Sequence, residues 1–362
     1  MIWALVITLL LLAALWTAAL LLGWLIAIPI AVSLLVLAAT GLALGLRHLR
    51  SRQRAAEFEA ELRQQRPSAQ RASTPNGEAA LELQSRIREL SGALRRRQRA
   101  SAFGDAALYA VPWVLVLGPP GAGKSAALAT CGLTLRAAGR RAAESRSNRP
   151  SNDCEAWLTD HGVLIDTPGR YVAEQREHTE WPTLLAALRG ARRKRPLDGV
   201  VLVYSLAELL GDPLERLEEK ARRLRSCLED LGSELGSVLP VYLLLTKADA
   251  LPGFYEFCAG LPPEASDRVW GATLEPGAEQ GQDAVLAFKA EFDLMKAVLH
   301  AQLLACLPGR ERTPAACAQA LRFPVEFESV RAPLARLIEE LFRPSRYDEA
   351  PVLRGFYCSS SR

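Results

Sequence analysis

Residues Gly118 to Ser125 read Gly-Pro-Pro-Gly-Ala-Gly-Lys-Ser, which places three glycines, a lysine and a hydroxyl at the spacing GxxxxGKS directly after the apolar run Val114-Leu115-Val116-Leu117. Such glycines let the backbone curl so that successive N–H groups face an anion, and a helix starting there adds its positive end. The chemistry is phosphate binding. Gly118, Gly121, Gly123 and Ala126 belong to the cradle, Lys124 reaches the β- and γ-phosphates, and Ser125 offers its hydroxyl to Mg²⁺. A second apolar run, Val163-Leu164-Ile165, ends in Asp166-Thr167-Pro168-Gly169. Asp166 is placed to hold Mg²⁺ through water, and the Gly169 N–H to sense a γ-phosphate.

The base is read elsewhere. Val241-Tyr242-Leu243-Leu244-Leu245 runs into Thr246-Lys247-Ala248-Asp249, a TKxD sequence. The Asp249 carboxylate can accept from N1 and the exocyclic amine of guanine, a donor pair adenine lacks, so GTP is the expected ligand and ATP the alternative. Lys247 is expected to pack along the base and brace the phosphate loop. The common form of the motif begins with Asn, and Thr246 cannot supply an amide, which weakens the guanine preference. After Gly169, where Ras-like GTPases carry a water-orienting Gln, this chain has Arg170. Arg170 either stabilises transition-state charge or pairs with a carboxylate or the sheet edge. Slow turnover, or a partner that completes the site, is expected. With catalytic roles assigned to Lys124, Asp166 and Arg170, a transport ATPase is disfavoured, because Thr167 stands where a catalytic Glu would follow the aspartate.

These loops need a scaffold. From 111 to 255 short apolar strands alternate with amphipathic helices, which predicts an α/β fold of the P-loop NTPase, GTPase-like kind with a parallel sheet flanked by helices. Strands are predicted at 113–118, 162–166, 199–205 and 239–246, with helices at about 124–138, 179–194 and 213–232. After 250 the strands are expected to stop, leaving 256–362 as a helical extension with runs at 283–306, 314–321 and 326–342. Residues 47–110 read as two polar helical pieces separated by Pro67 to Gly77. The second, with Leu81, Leu83, Ile87, Leu90 and Leu94 at near-helical spacing, is either a stalk or a helix packed on the nucleotide domain.

Met1 to Leu46 contains no charged residue. As one helix it would be about 69 Å long, more than twice a ~30 Å hydrocarbon core, so it reads as a transmembrane hairpin with spans at about 2–22 and 27–46. Arg47, Arg50, Arg52 and Arg54 follow at once. By the positive-inside tendency everything after Leu46 is expected to be cytoplasmic, with the arginines against anionic lipid. A cleavable signal peptide would need a basic start and a shorter apolar core. The 362 residues carry 44 Lys and Arg against 40 Asp and Glu. The basic runs have no interleaved aromatics, so no nucleic-acid partner is expected. Seven cysteines without a CxxC pair, and four isolated histidines, suggest reduced thiols rather than disulfides or zinc.

Taken in order, these segments resemble the N-terminal part of the TssM/IcmF family, the inner-membrane component of bacterial type VI secretion systems. The resemblance runs through GPPGAGKS, Cys154-Glu155-Ala156-Trp157-Leu158, Val163 to Tyr171, Arg195-Pro196-Leu197-Asp198-Gly199-Val200, and Pro240-Val241-Tyr242 to Asp249. It continues through Gly253-Phe254, Val269-Trp270-Gly271-Ala272-Thr273, Phe323-Pro324 and Leu353-Arg354-Gly355-Phe356-Tyr357. It implies a membrane-anchored nucleotide-binding subunit of an envelope-spanning complex, oligomeric there and in contact with other subunits of the secretion machine. It also implies that Ser151, ahead of Cys154, holds the place of the family's switch threonine and is a third Mg²⁺ ligand. The family continues into a third span and a periplasmic domain, so by resemblance the chain is a fragment or a truncated paralogue. A structural scaffold with a vestigial nucleotide site is the competing reading, motivated by Thr246 and Arg170.

Overall fold

The computed structural model describes residues 84–92, 94, 106–137, 154–173, 180–236, 238–262, 269–274, 284–306, 313–343 and 351–360. All of them fall within one compact unit, Thr74–Arg362. The predicted spans 2–22 and 27–46, the first helical piece of 47–110, and Ser151 lie outside the described residues. Among the described residues no helix is long and apolar enough to cross a membrane.

Helical residues 84–92 and 94 (α1) bury Ile87, Leu90 and Leu94 in the main core. This burial fits a helix packed on the α/β domain, one of the two readings of this piece. After α2 (Ala106–Tyr109) comes β1 (Trp113–Leu117), whose buried apolar residues mark a central strand. Next are α3 (Lys124–Thr130), β2 (Arg136–Ala137), β3 (Glu155–Leu158), β4 (Val163–Asp166), α4 (Arg170–Ala173), α5 (Glu180–Ala191) and β5 (Gly199–Ser205). The chain continues through α6 (Leu206–Gly211), α7 (Leu214–Leu235), β6 (Pro240–Thr246), α8 (Phe254–Cys258) and β7 (Gly271–Thr273). It closes with α9 (Ala284–Cys306), α10 (Pro314–Ser329), α11 (Arg331–Phe342) and β8 (Val352–Cys358).

The strands form one sheet in the order β2-β3-β4-β1-β5-β6-β8-β7. Strand β1 lies parallel to β4 and β5, β5 to β6, and β6 to β8. The chain winds from β1 to one side and then to the other, so β1 is a topological switch point, where open α/β sheets bind ligands at the carboxyl ends of their strands.

Four expectations need correction. The sheet is mixed, not parallel throughout: β3 returns antiparallel beside β4, through a tight turn in which the Thr159 N–H donates to the Gly162 carbonyl at 2.8 Å. Strand β2 pairs antiparallel with β3, and β7 with β8. The helix after the phosphate loop ends at Thr130, because the chain must turn into β2 by Arg136. Strands do not stop at 250, since β7 and β8 extend the sheet within 256–362. In β8 an arginine and a glycine interrupt the apolar pattern, yet Leu353, Phe356 and Cys358 are buried. Aromatic rings join this region: Phe292 of α9 stacks on Phe327 of α10 at 4.7 Å, and Phe288 of α9 packs edge-on to Phe356 of β8 at 5.0 Å. Helix α10 runs through Pro324 and ends only at Ser329, where the sequence suggested a break after 321.

Candidate functional site

The loops after β1, β4, β5, β6 and β8 all leave the same edge of the sheet, because these five strands are parallel. Every described residue assigned to the site lies on that edge.

Gly121 and Gly123 adopt φ of +76° and +84°, left-handed values that cost a residue with a Cβ about 1–2 kcal/mol. Gly118 has a different reason to be glycine: a Cβ there would run into the Val203 carbonyl of β5. The backbone therefore forms an open cradle at the start of α3, and Ser125 and Ala126 occupy its first turn. The Lys124 Nζ folds back to donate to the carbonyls of Gly118 at 2.7 Å and Pro119 at 3.1 Å. Burial pushes its ammonium down from 10.5 to about 8, against the opposing pull of the Asp166 and Glu208 carboxylates.

Strand β4 carries the buried Asp166 beside β1, in register with Val116. Thr167 pins the following turn, its hydroxyl donating to the Val116 carbonyl at 2.7 Å. The Ser125 hydroxyl donates to Asp166 Oδ2 at 3.4 Å. Two hard oxygens so close, beside a cradle of N–H groups, fit Mg²⁺ and the phosphates it accompanies. A Cβ on Gly169 would stand 2.5 Å from Pro120 N, so the DTPG turn rests on the phosphate loop itself.

Arg170 opens α4, but its guanidinium is turned to α5, where Nη2 donates to Glu180 Oε2 at 2.7 Å. Of the two roles foreseen for it, the carboxylate pairing is the one present.

The TKAD segment touches the phosphate loop at two points. Thr246 Oγ1 donates to the Ala122 carbonyl at 2.5 Å, with the Tyr204 carbonyl 3.3 Å away. A hydroxyl thus ties β6 to the loop where the common motif has an amide. Lys247 takes a left-handed φ of 58°, a strain of about 1 kcal/mol or more, and in return its Nζ donates to the Gly121 carbonyl at 2.8 Å. The expected brace is present.

Asp249 is engaged by residues that the sequence did not single out. The Ser360 hydroxyl donates to Oδ1 at 2.7 Å and the Tyr255 hydroxyl to Oδ2 at 3.4 Å. Ser360 arrives there because β8 pairs with β6 and the chain continues the ladder past its end: the Ser359 N–H donates to the Leu245 carbonyl and the Ala248 N–H to the Ser359 carbonyl. Only the register of a strand more than a hundred residues away could have revealed it. Glu208 was also missed. Its carboxylate approaches Gly121 and pairs at 2.6 Å with Lys220, which also holds Asp212 at 2.6 Å. Lys220 thereby offsets an acidic charge beside the glycine loop.

A mixed sheet with flanking helices and a glycine-rich loop at its switch point define an α/β protein. Residues 174–362 match the IcmF-related N-terminal domain. The chain is also 35% identical over 296 residues to the type VI secretion system component TssM1 of Pseudomonas aeruginosa. That match takes in 80% of this chain and 27% of the relative, so the chain spans about a quarter of the length of the curated relative it matches. The chain belongs to the TssM/IcmF family, as a counterpart of its N-terminal portion.

Solved structures similar to it include the signal recognition particle receptor SRb-GTP/SRX complex from Chaetomium thermophilum, at 22% identity over 38% of this chain and 70% of that one, with a TM-score of 0.27. Another is a GTP-binding protein from Sulfolobus solfataricus in complex with GDP, at 16% identity over 49% and 51%, with a TM-score of 0.23. Likenesses of this size carry no weight in assigning the fold, which rests on sheet order and loop geometry.

Proposed function

We propose that this chain is a nucleotide-binding part of an inner-membrane type VI secretion subunit, taking GTP in preference to ATP together with Mg²⁺. The observation that supports it best is the convergence on one loop: Lys124 and Ser125 stand beside Asp166, while Thr246 and Lys247 brace the same loop from β6. In this reading the loop N–H groups and Lys124 hold the phosphates, Ser125 and Asp166 hold the ion, and Ser151 joins them. Asp249, oriented by Ser360, selects guanine. Mg²⁺ held by Ser125 and Asp166 would supply charge neutralisation at the phosphates. Turnover is slow, because Arg170 stands in place of a water-orienting group and is paired with Glu180. The apolar segment 1–46 anchors the chain in the bilayer by two spans, and other subunits of the secretion membrane complex are its partners.

Equilibrium binding of GTP and ATP to the full chain in detergent, with and without Mg²⁺, tests this reading. Micromolar, Mg²⁺-dependent binding that Lys124→Ala abolishes is expected; binding of neither nucleotide overturns it. A second reading, a scaffold with a vestigial site, is favoured by the Arg170–Glu180 pair. Full secretion by a Lys124→Ala, Asp166→Ala double variant would support the scaffold instead.

A further inference from the structure

Glu180 is the first residue of α5, and its side chain is only 6% exposed, against 27% for that of its partner Arg170. A buried carboxylate must be paired, yet buried ion pairs contribute little net stability, because desolvation offsets the attraction. The same two helices are already joined by other means. Tyr171 of α4 meets Trp181 of α5 edge-on at 5.8 Å, and Trp181 Nε1 donates to Asp230 of α7 at 3.1 Å. Holding α4 to α5 therefore does not require the charges.

What the pair does accomplish is electrostatic. Arg170 directly follows Gly169, whose backbone rests on Pro120 of the phosphate loop. A guanidinium at that point stabilises charge on a terminal phosphoryl group only if it brings net positive charge. Glu180 removes it, and it is held in place to do so: the Tyr171 hydroxyl also bonds to Glu180, and the Arg170 guanidinium lies 5.7 Å over the Tyr171 ring.

We infer that Glu180 is a positioning residue that latches Arg170 away from the terminal phosphate, so that this protein discriminates poorly between tri- and diphosphate until the latch is released. The inference rests on the nucleotide reading above and names a regulator of that site. Neutralising the carboxylate while keeping its shape releases Arg170 toward the phosphates.

The test is the ratio of GTPγS to GDP affinity in the full chain for wild type, Glu180→Gln, Arg170→Ala and the double variant, each checked by a melting curve. Glu180→Gln is expected to raise the ratio about tenfold. The gain should vanish when Arg170→Ala is added and should diminish at high salt. A merely structural role predicts a lower melting temperature and an unchanged ratio. An unchanged ratio in folded Glu180→Gln, or an equal gain in the Arg170→Ala background, overturns the latch. If Glu180→Gln unfolds, Glu180→Asp, which keeps the charge but shortens its reach, is expected to give a smaller gain; none overturns the latch. Failure of the wild type to bind either nucleotide sinks the nucleotide reading and the latch together. Lys124-dependent binding with no effect at Glu180 sinks the latch alone.

Discussion

The two ends of the candidate site are built on different principles. At the phosphate end most of the geometry comes from a single eight-residue loop, whose glycines owe their identity to two left-handed φ angles and one close approach to Val203. At the base end Asp249 is positioned by side chains outside the motif, Tyr255 from the turn of helix just after it and Ser360 from the distant segment beyond β8. Backbone N–H groups recognise an anion wherever the loop can curl, so the phosphate end depends on local sequence. Discrimination of a base depends on pairing particular buried polar atoms, so the base end depends on the whole sheet.

This contrast can be broken most directly at Lys124. Lys124→Met removes two charge-assisted contacts and is expected to lower affinity for GTP and ATP alike by ~100-fold or more. The melting temperature of the free protein should not fall, because burial already disfavours the ammonium. Isothermal titration and a thermal melt check both halves of the statement. Asp249→Ala should act on one base only, weakening GTP by ~30-fold and leaving ATP unchanged. A parallel loss for ATP would show that Asp249 serves the fold rather than the base.

The phosphate end should also respond to pH. Because the free Lys124 titrates at about 8 and phosphate favours its charged form, binding takes up a proton at higher pH. Affinity should fall as pH rises through about 8, approaching tenfold per unit, and Lys124→Met should flatten the profile. For stability the sign is opposite. The unfolded chain holds this proton up to about 10.5, so this group's contribution rises with pH between about 8 and 10.5. The smallest effect is expected at Ser360→Ala, which removes one hydrogen bond to Asp249 and should cost GTP binding about fivefold with no change for ATP.

The same division explains what could be read in advance. Strands β1, β4, β5 and β6 are mostly apolar runs, three of them (β1, β4 and β6) leading into motif residues, and their positions follow from the sequence within a residue or two. Strand β3 is only four residues long and mostly partly buried, and β7 is three. Neither is long enough to show a period. Strand β8 contains Arg354 and Gly355 and lies beyond three helices, so its place beside β6 is a tertiary outcome. With it went Ser360. Thr246 was read as a lost amide, and the structure gives it a positive task, because a hydroxyl 2.5 Å from the Ala122 carbonyl needs only the distance between β6 and the phosphate loop. The charge at Arg170 was legible, but its engagement by Glu180 was not, since nothing local distinguishes Glu180 from any acidic residue opening a helix.

The interior position of β8 also sets an order of events during synthesis. Strands β1, β4, β5 and β6 can pair as soon as they leave the ribosome, and the phosphate end can form with them. Strand β7 cannot join, although it is made earlier than β8, because β8 lies between it and β6. Until residues 352–358 have emerged, β6 is an open edge, and such edges invite pairing with other chains. The nascent chain thus carries a formed glycine loop beside an Asp249 still without its Ser360 partner, with its greatest exposure to misassembly in the interval before β8 is inserted.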